Sequence, residues 1–125
     1  MARLQRQYMV ISNTVTAAVG ATDAQTLIDL TAPQAGARII EFTATTKTAG
    51  VGTGTFTVII EEQGGTNLST ALTIDADAEA ETIQGTSKGN GTAAAATGTH
   101  LAVVTVKTGT VTTGAILLLC IIWQM

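Results

Sequence analysis

Apolar residues in this chain return at every second position, and no stretch holds the 3.6-residue period of a helix for long. In residues 38–45, Ile40, Phe42 and Ala44 alternate with Glu41, Thr43 and Thr45. In residues 55–62, Phe56, Val58 and Ile60 fall on one side, with Thr55, Thr57, Ile59 and Glu61 on the other. Successive side chains of a strand point to opposite faces, so each run predicts a strand with one face on a core. Leu72 and Ile74 repeat the pattern against Thr73 and Asp75, and Leu101 and Val103 repeat it against Ala102 and Val104. Further strands are expected at 7–12, 14–19, 26–30, 81–84 and 114–124. Residues 23–30 and 75–81 are the only stretches that could be helical, and neither sustains a helical face.

Between these runs the punctuation is glycine and threonine. Thr48-Ala-Gly-Val-Gly-Thr-Gly is a glycine-rich connection, and the strands on either side of it are expected to form a long-looped hairpin. Ala32-Pro-Gln-Ala-Gly, Ser87-Lys-Gly-Asn-Gly-Thr and Thr108-Gly-Thr read as turns, and Ala93 to Ala96 as loop or extended chain. Roughly one residue in five is threonine, a good strand former. Strands of this kind, recurring every 10–15 residues, predict an all-β antiparallel β-sandwich or small barrel.

The length of 125 residues fits one domain. The division read from the sequence is an N-terminal arm, 1–12, leading into the first strand, then a single β-sandwich domain, 13–125. With 46% hydrophobic residues, the chain has enough apolar surface to fold and does not read as disordered. The net charge is −3, and the bases form no stripe of the kind that displaces counterions from nucleic-acid phosphates. No secretory signal is legible near residue 1, and the longest apolar run, 115–123, is too short for a helical membrane span of about 20 residues. Neither nucleic acid nor membrane is therefore expected as a partner. The single cysteine, Cys120, sits among Leu117, Leu118, Leu119, Ile121 and Ile122, and reads as a buried, inert thiol.

The last strand is the most informative segment. Ile116, Leu118, Cys120 and Ile122 point one way, while Leu117, Leu119, Ile121 and Trp123 point the other. An antiparallel strand with one wet face alternates apolar with polar, so a doubly apolar strand is expected to be covered on both sides. The row of Leu117, Leu119, Ile121 and Trp123 is thus either a core-closing row under the chain's own elements or a self-association surface.

The candidate chemical motifs lack parts. Asp75, Asp77, Glu79 and Glu81 share a face in an extended chain, but without the central glycine and distal glutamate of a calcium loop they read as a solvated edge. Gly50-Val-Gly-Thr-Gly resembles a phosphate loop, yet a strand follows it where a helix is required. His100 is the only histidine, and no serine stands in a nucleophile elbow. Glu61 and Glu62 are adjacent, which on a strand puts paired carboxylates on opposite faces. One Trp, one Tyr and two Phe are too few for a sugar-stacking platform. No catalytic, cofactor-binding or metal site is assigned, and the chain is not expected to be an enzyme.

Three segments carry a resemblance: Ala37-Arg-Ile-Ile-Glu-Phe-Thr-Ala-Thr-Thr, Gly54-Thr-Phe-Thr-Val-Ile-Ile-Glu-Glu, and Thr113-Gly-Ala-Ile-Leu-Leu-Leu-Cys-Ile-Ile-Trp. In style and order of elements the chain resembles the decoration, or cement, proteins of tailed-bacteriophage heads. The resemblance implies a jelly-roll-like sandwich that binds the outside of a capsid and clamps neighbouring major capsid subunits. It implies a virion protein made in the host cytoplasm, self-associating as a trimer first or a dimer second. It also implies that Arg3 and Arg6 form a capsid-docking arm. A tail, head-fibre or surface adhesion module binding a host glycan or protein is the alternative.

Overall fold

A computed structural model describes residues 8–17, 24–62, 66–94 and 100–125 of the chain. Its strands are β1 (Tyr8–Thr16), β2 (Ala24–Thr31), β3 (Arg38–Thr48), β4 (Val51–Gly52) and β5 (Thr55–Glu62). They continue with β6 (Leu72–Asp75), β7 (Ile83–Lys88), β8 (His100–Thr108), β9 (Val111–Thr113) and β10 (Ile116–Gln124). No described residue is helical. The segments 24–30 and 75–81, where a helix was conceivable, are strand in the first case and strand end plus turn in the second.

Two four-stranded antiparallel sheets face each other, in the orders β1-β10-β3-β7 and β2-β8-β5-β6. Of the connections between these eight strands, only β5 to β6 stays within one sheet. That order is the jelly roll, in which two Greek keys interleave. The short β4 and β9 pair with each other and carry the chain over one corner of the sandwich.

The expected hairpin between residues 38–48 and 55–62 does not form. β3 pairs with β10 and β7, whereas β5 pairs with β6 and β8 in the opposite sheet. The glycine run between them is the sheet-to-sheet corner. A Cβ on Gly50 would stand 2.5 Å from the Thr113 carbonyl oxygen, and one on Gly52, which holds φ +139, would run into the Thr110 carbonyl oxygen. Only residues without a Cβ let two chain segments cross this closely.

The core lies between the sheets. Phe56, Val58 and Ile60 of β5, Val103 of β8 and Ile74 of β6 face Phe42 and Ala44 of β3 and the inner row of β10, all essentially sealed from solvent. On β3 the alternation read from the sequence slips by one residue. Trp123 stands opposite Ile39 and Ile122 opposite Glu41, so Ile40 is the extra residue of a bulge. Ile39 therefore turns inward at 4% exposure while Ile40 is left outside at 38%.

The first described strand is Tyr8–Thr16, so residues 8–12 lie in the sheet, and residues 1–7 of the expected arm lie outside the described residues. The expected pair 7–12 and 14–19 is one continuous strand through Thr16. The strand expected at 81–84 starts two residues later and runs through Ser87 and Lys88, which were assigned to a turn.

Candidate interaction surface

The side chains proposed from the sequence fall into three groups. Leu117, Leu119, Ile121 and Trp123 are each 0% exposed and form the inner row of β10. They pack between the sheets, so any contact β10 offers to a partner comes from its other row. Arg3 and Arg6 lie outside the described residues. The side chain of His100, first residue of β8, is likewise outside what is described.

The acidic row is exposed, and no three His, Cys, Asp or Glu side chains among the described residues converge as a metal group would. Asp75 ends β6, Asp77 lies in the turn after it, and Glu81 forms an ion pair with Lys47 at 2.7 Å. Glu81 stands at φ 69, and its amide donates to the Thr46 carbonyl at 2.7 Å. Glu61 and Glu62 are both buried, at 6% and 7%. No pocket indents the surface formed by the described residues.

One side of the sandwich, where β6 and β7 meet, is sewn shut by polar side chains. The Gln84 amide donates to Thr46 Oγ1 at 2.9 Å and to the Asp75 carbonyl at 3.3 Å, while its Oε1 accepts from the Asp75 amide at 3.2 Å. Ser87 Oγ and Thr70 Oγ1 lie 2.7 Å apart, and the Thr70 amide donates to the Lys88 carbonyl at 2.9 Å. These bonds occupy groups that a bare sheet edge would offer to another chain.

The opposite edge of the first sheet is different. β1 lies at the end of its sheet, and its nine residues, Tyr-Met-Val-Ile-Ser-Asn-Thr-Val-Thr, contain no charge, glycine or proline. Tyr8, Met9 and Val10 are 55%, 38% and 63% exposed. Ala17 donates its amide to the Ala115 carbonyl at 2.8 Å, which sets the phase of the β1–β10 ladder. By the alternation of antiparallel pairs, odd-numbered residues of β1 exchange backbone bonds with β10. Tyr8, Val10 and Ser12 turn their N–H and C=O groups to the open side.

Across the outer face, these same residues lie beside the second row of β10. Val10 is opposite Ile122 and Ser12 opposite Cys120. Ile116, Leu118, Cys120 and Ile122 are half-buried, shielded by the flanking strands with no further layer over them among the described residues. Cys120 is accordingly a half-buried outward thiol, 3.4 Å from Ser12 Oγ, and not the buried cysteine its neighbours suggested. Beyond β10 the face is mixed, with Arg38, Glu41, Thr43 and Thr45 on β3 and Thr86 and Lys88 on β7, beside the exposed Ile40 and Ile83. The β10–β1 half is uncharged and ends at Tyr8–Ser12 in a strand that no described residue covers, and the other half carries charge and ends in a sealed strand.

Sequence reasoning singled out β10 and left its Leu117, Leu119, Ile121 and Trp123 row, which is core, open between core closing and self-association. It passed over β1, whose signal was present: a nine-residue run of strand formers without a charge or breaker. Phe42, Phe56 and Trp123 are all 0% exposed, leaving Tyr8 as the aromatic on the outside. The fold and this surface together define a jelly-roll sandwich whose β1 edge, at Tyr8–Ser12, is apolar and unpaired among the described residues. Compared with known protein families, curated proteins and solved structures, the chain has no match in any of the three.

Proposed function

We propose that this chain is a structural virion protein, a decoration or cement protein that binds the outside of a tailed-phage capsid and clamps neighbouring major capsid subunits. The observation that carries the reading is the outer face of β1 and β10, where exposed Tyr8 and Val10 continue the half-buried row Ile116, Leu118 and Ile122 with Val10 directly opposite Ile122, on a jelly-roll frame. A face of this kind is suited to protein contact. Jelly rolls are a common frame for capsid components.

The mechanism is mechanical. Each bound copy adds interface area between capsid subunits, so the shell must break more contacts to rupture under the pressure of packaged DNA. Many weak attachments on one shell act together, because release of one copy leaves its neighbours holding the lattice. Arg3 and Arg6 would supply a basic arm for docking, and the protein would be made in the host cytoplasm and end on the virion surface. The partners are the major capsid protein and further copies of this chain.

The test uses the genes beside this one. If they encode a major capsid protein and a head protease, capsids assembled without this chain are mixed with the purified protein and sedimented. Co-sedimentation at a fixed ratio per capsid subunit and a raised rupture temperature are expected. Absence of a major capsid gene, or capsids that neither retain the protein nor change in rupture temperature, overturns the assignment. Binding to a glycan array or to host cells without capsid retention would assign the chain to a tail, head-fibre or surface adhesion module instead.

A further inference from the structure

We infer that two copies of this chain pair edge to edge through residues Tyr8–Ser12 of β1, antiparallel about a two-fold axis at Val10, joining their sheets into one of eight strands. The phase of the ladder makes this possible. The backbone groups of Tyr8, Val10 and Ser12 face away from β10, and among the described residues nothing pairs with them. With the axis at Val10, Tyr8 of one copy opposes Ser12 of the other and Val10 opposes itself. Each of these three opposed pairs exchanges two backbone hydrogen bonds.

Side-chain chemistry selects a second copy as the occupant. A two-fold axis brings each residue near its own twin, so any charge on the strand would meet a like charge. β1 carries none. Its outward side chains then form a continuous apolar strip, Val10 against Val10 at the centre with Tyr8 on either side. Met9, 38% exposed, would be covered by Ile11 of the other copy. The other edge of the same sheet cannot serve, because β7 carries Lys88 and is tied to the opposite sheet through Gln84, Ser87 and Thr70. With Tyr8–Ser12 the one edge segment of this sheet left unpaired among the described residues, pairing closes as a dimer and does not propagate as a filament. This favours the dimer over the trimer that the family resemblance ranks first, and it does not depend on the capsid reading.

Five paired residues bury less than the ~1,200–2,000 Å² typical of stable complexes. The dimer is therefore expected to form at high protein concentration and to dissociate on dilution. Sedimentation velocity of the full chain, from micromolar to millimolar, should show the mass rising from one chain toward two. Val10→Lys places two ammonium groups at the axis and should weaken the dimer at least about tenfold, with an unchanged circular dichroism spectrum and thermal transition. Val10→Cys, in a Cys120→Ala background, should oxidise to a covalent dimer, because opposed hydrogen-bonded residues sit about 5.5 Å apart at Cα, within disulfide reach. Val51→Cys, at a position of similar exposure (57%) on the corner ribbon, should cross-link far more slowly. A wild-type chain that stays monomeric at all concentrations overturns the inference. So does a dimer that Val10→Lys leaves intact, or a Val10→Cys variant that cross-links no faster than Val51→Cys.

Discussion

Replacing Trp123 by Phe should leave the protein nearly as stable as the original, although Trp123 is the largest buried side chain in the core. Its exposure is 0%, and its indole N–H has no hydrogen-bond partner among the described residues. A buried donor left unsatisfied costs about 1–3 kcal/mol. Phe removes that donor but also roughly 40 Å³ of ring, worth about 1 kcal/mol as residual cavity at ~24 cal/mol per Å³. The lost burial of roughly 40 Å² of apolar surface is worth about 1 kcal/mol more. Gain and loss nearly cancel, so the net change is expected to stay within about 1 kcal/mol. Trp123→Ala keeps the first benefit but empties the site, and should cost about 3–5 kcal/mol. Urea unfolding followed by far-ultraviolet circular dichroism compares the three, since the variants lack the only tryptophan. A Phe variant as damaged as the Ala variant would refute the reasoning, because it would mean that the N–H is bonded or that the site depends on the full indole shape.

The remaining predictions concern the corner, a strained turn and the sealed edge. Gly52→Ala sets a Cβ against the Thr110 carbonyl at φ +139 and should destabilise the fold by more than about 2 kcal/mol, read from the urea midpoint. Glu81→Gly relieves the left-handed φ of 69 by about 1 kcal/mol and loses only an exposed ion pair to Lys47, so the thermal midpoint should hold or rise. Glu81→Val keeps the strain and loses the ion pair, and its midpoint should fall. Gln84→Ala removes the side chain that bridges Thr46 and Asp75 and should cost about 1–2 kcal/mol. Exchange of the Asp75 amide should accelerate in that variant, whereas unchanged protection there would show that the bridge does not hold β6 to β7.

The all-β character was legible because a strand's two-residue period is local. Phe56, Val58 and Ile60 alternate with Thr55, Thr57 and Ile59 in the sequence, and all three are fully buried in the fold. Partner choice was not legible. Residues 38–48 and 55–62 are neighbours in sequence with a glycine linker between them, which is also what a hairpin looks like. Whether such a linker turns back in plane or steps over to a second sheet depends on what stands across from it. Here that is β9, with the Thr113 carbonyl, and the Thr110 carbonyl just before it. The bulge at Ile40 escaped for a related reason, since an extra residue is defined only by its opposite strand, and Ile39 and Ile40 are both isoleucines that suit either face.

Residue order alone therefore determined that the chain forms many short antiparallel strands and that β10 is apolar on both faces. The tertiary structure decided the jelly-roll order, which row of β10 is core, and which sheet edge is left unpaired among the described residues. Trp123 and Ile122 are equally apolar and adjacent, and only the position of the second sheet sends one inward at 0% exposure and leaves the other on the outer face. Periodicity is written in the spacing of side chains along one strand. Orientation is set by what packs across from it, and that partner is brought there by residues far away in the chain.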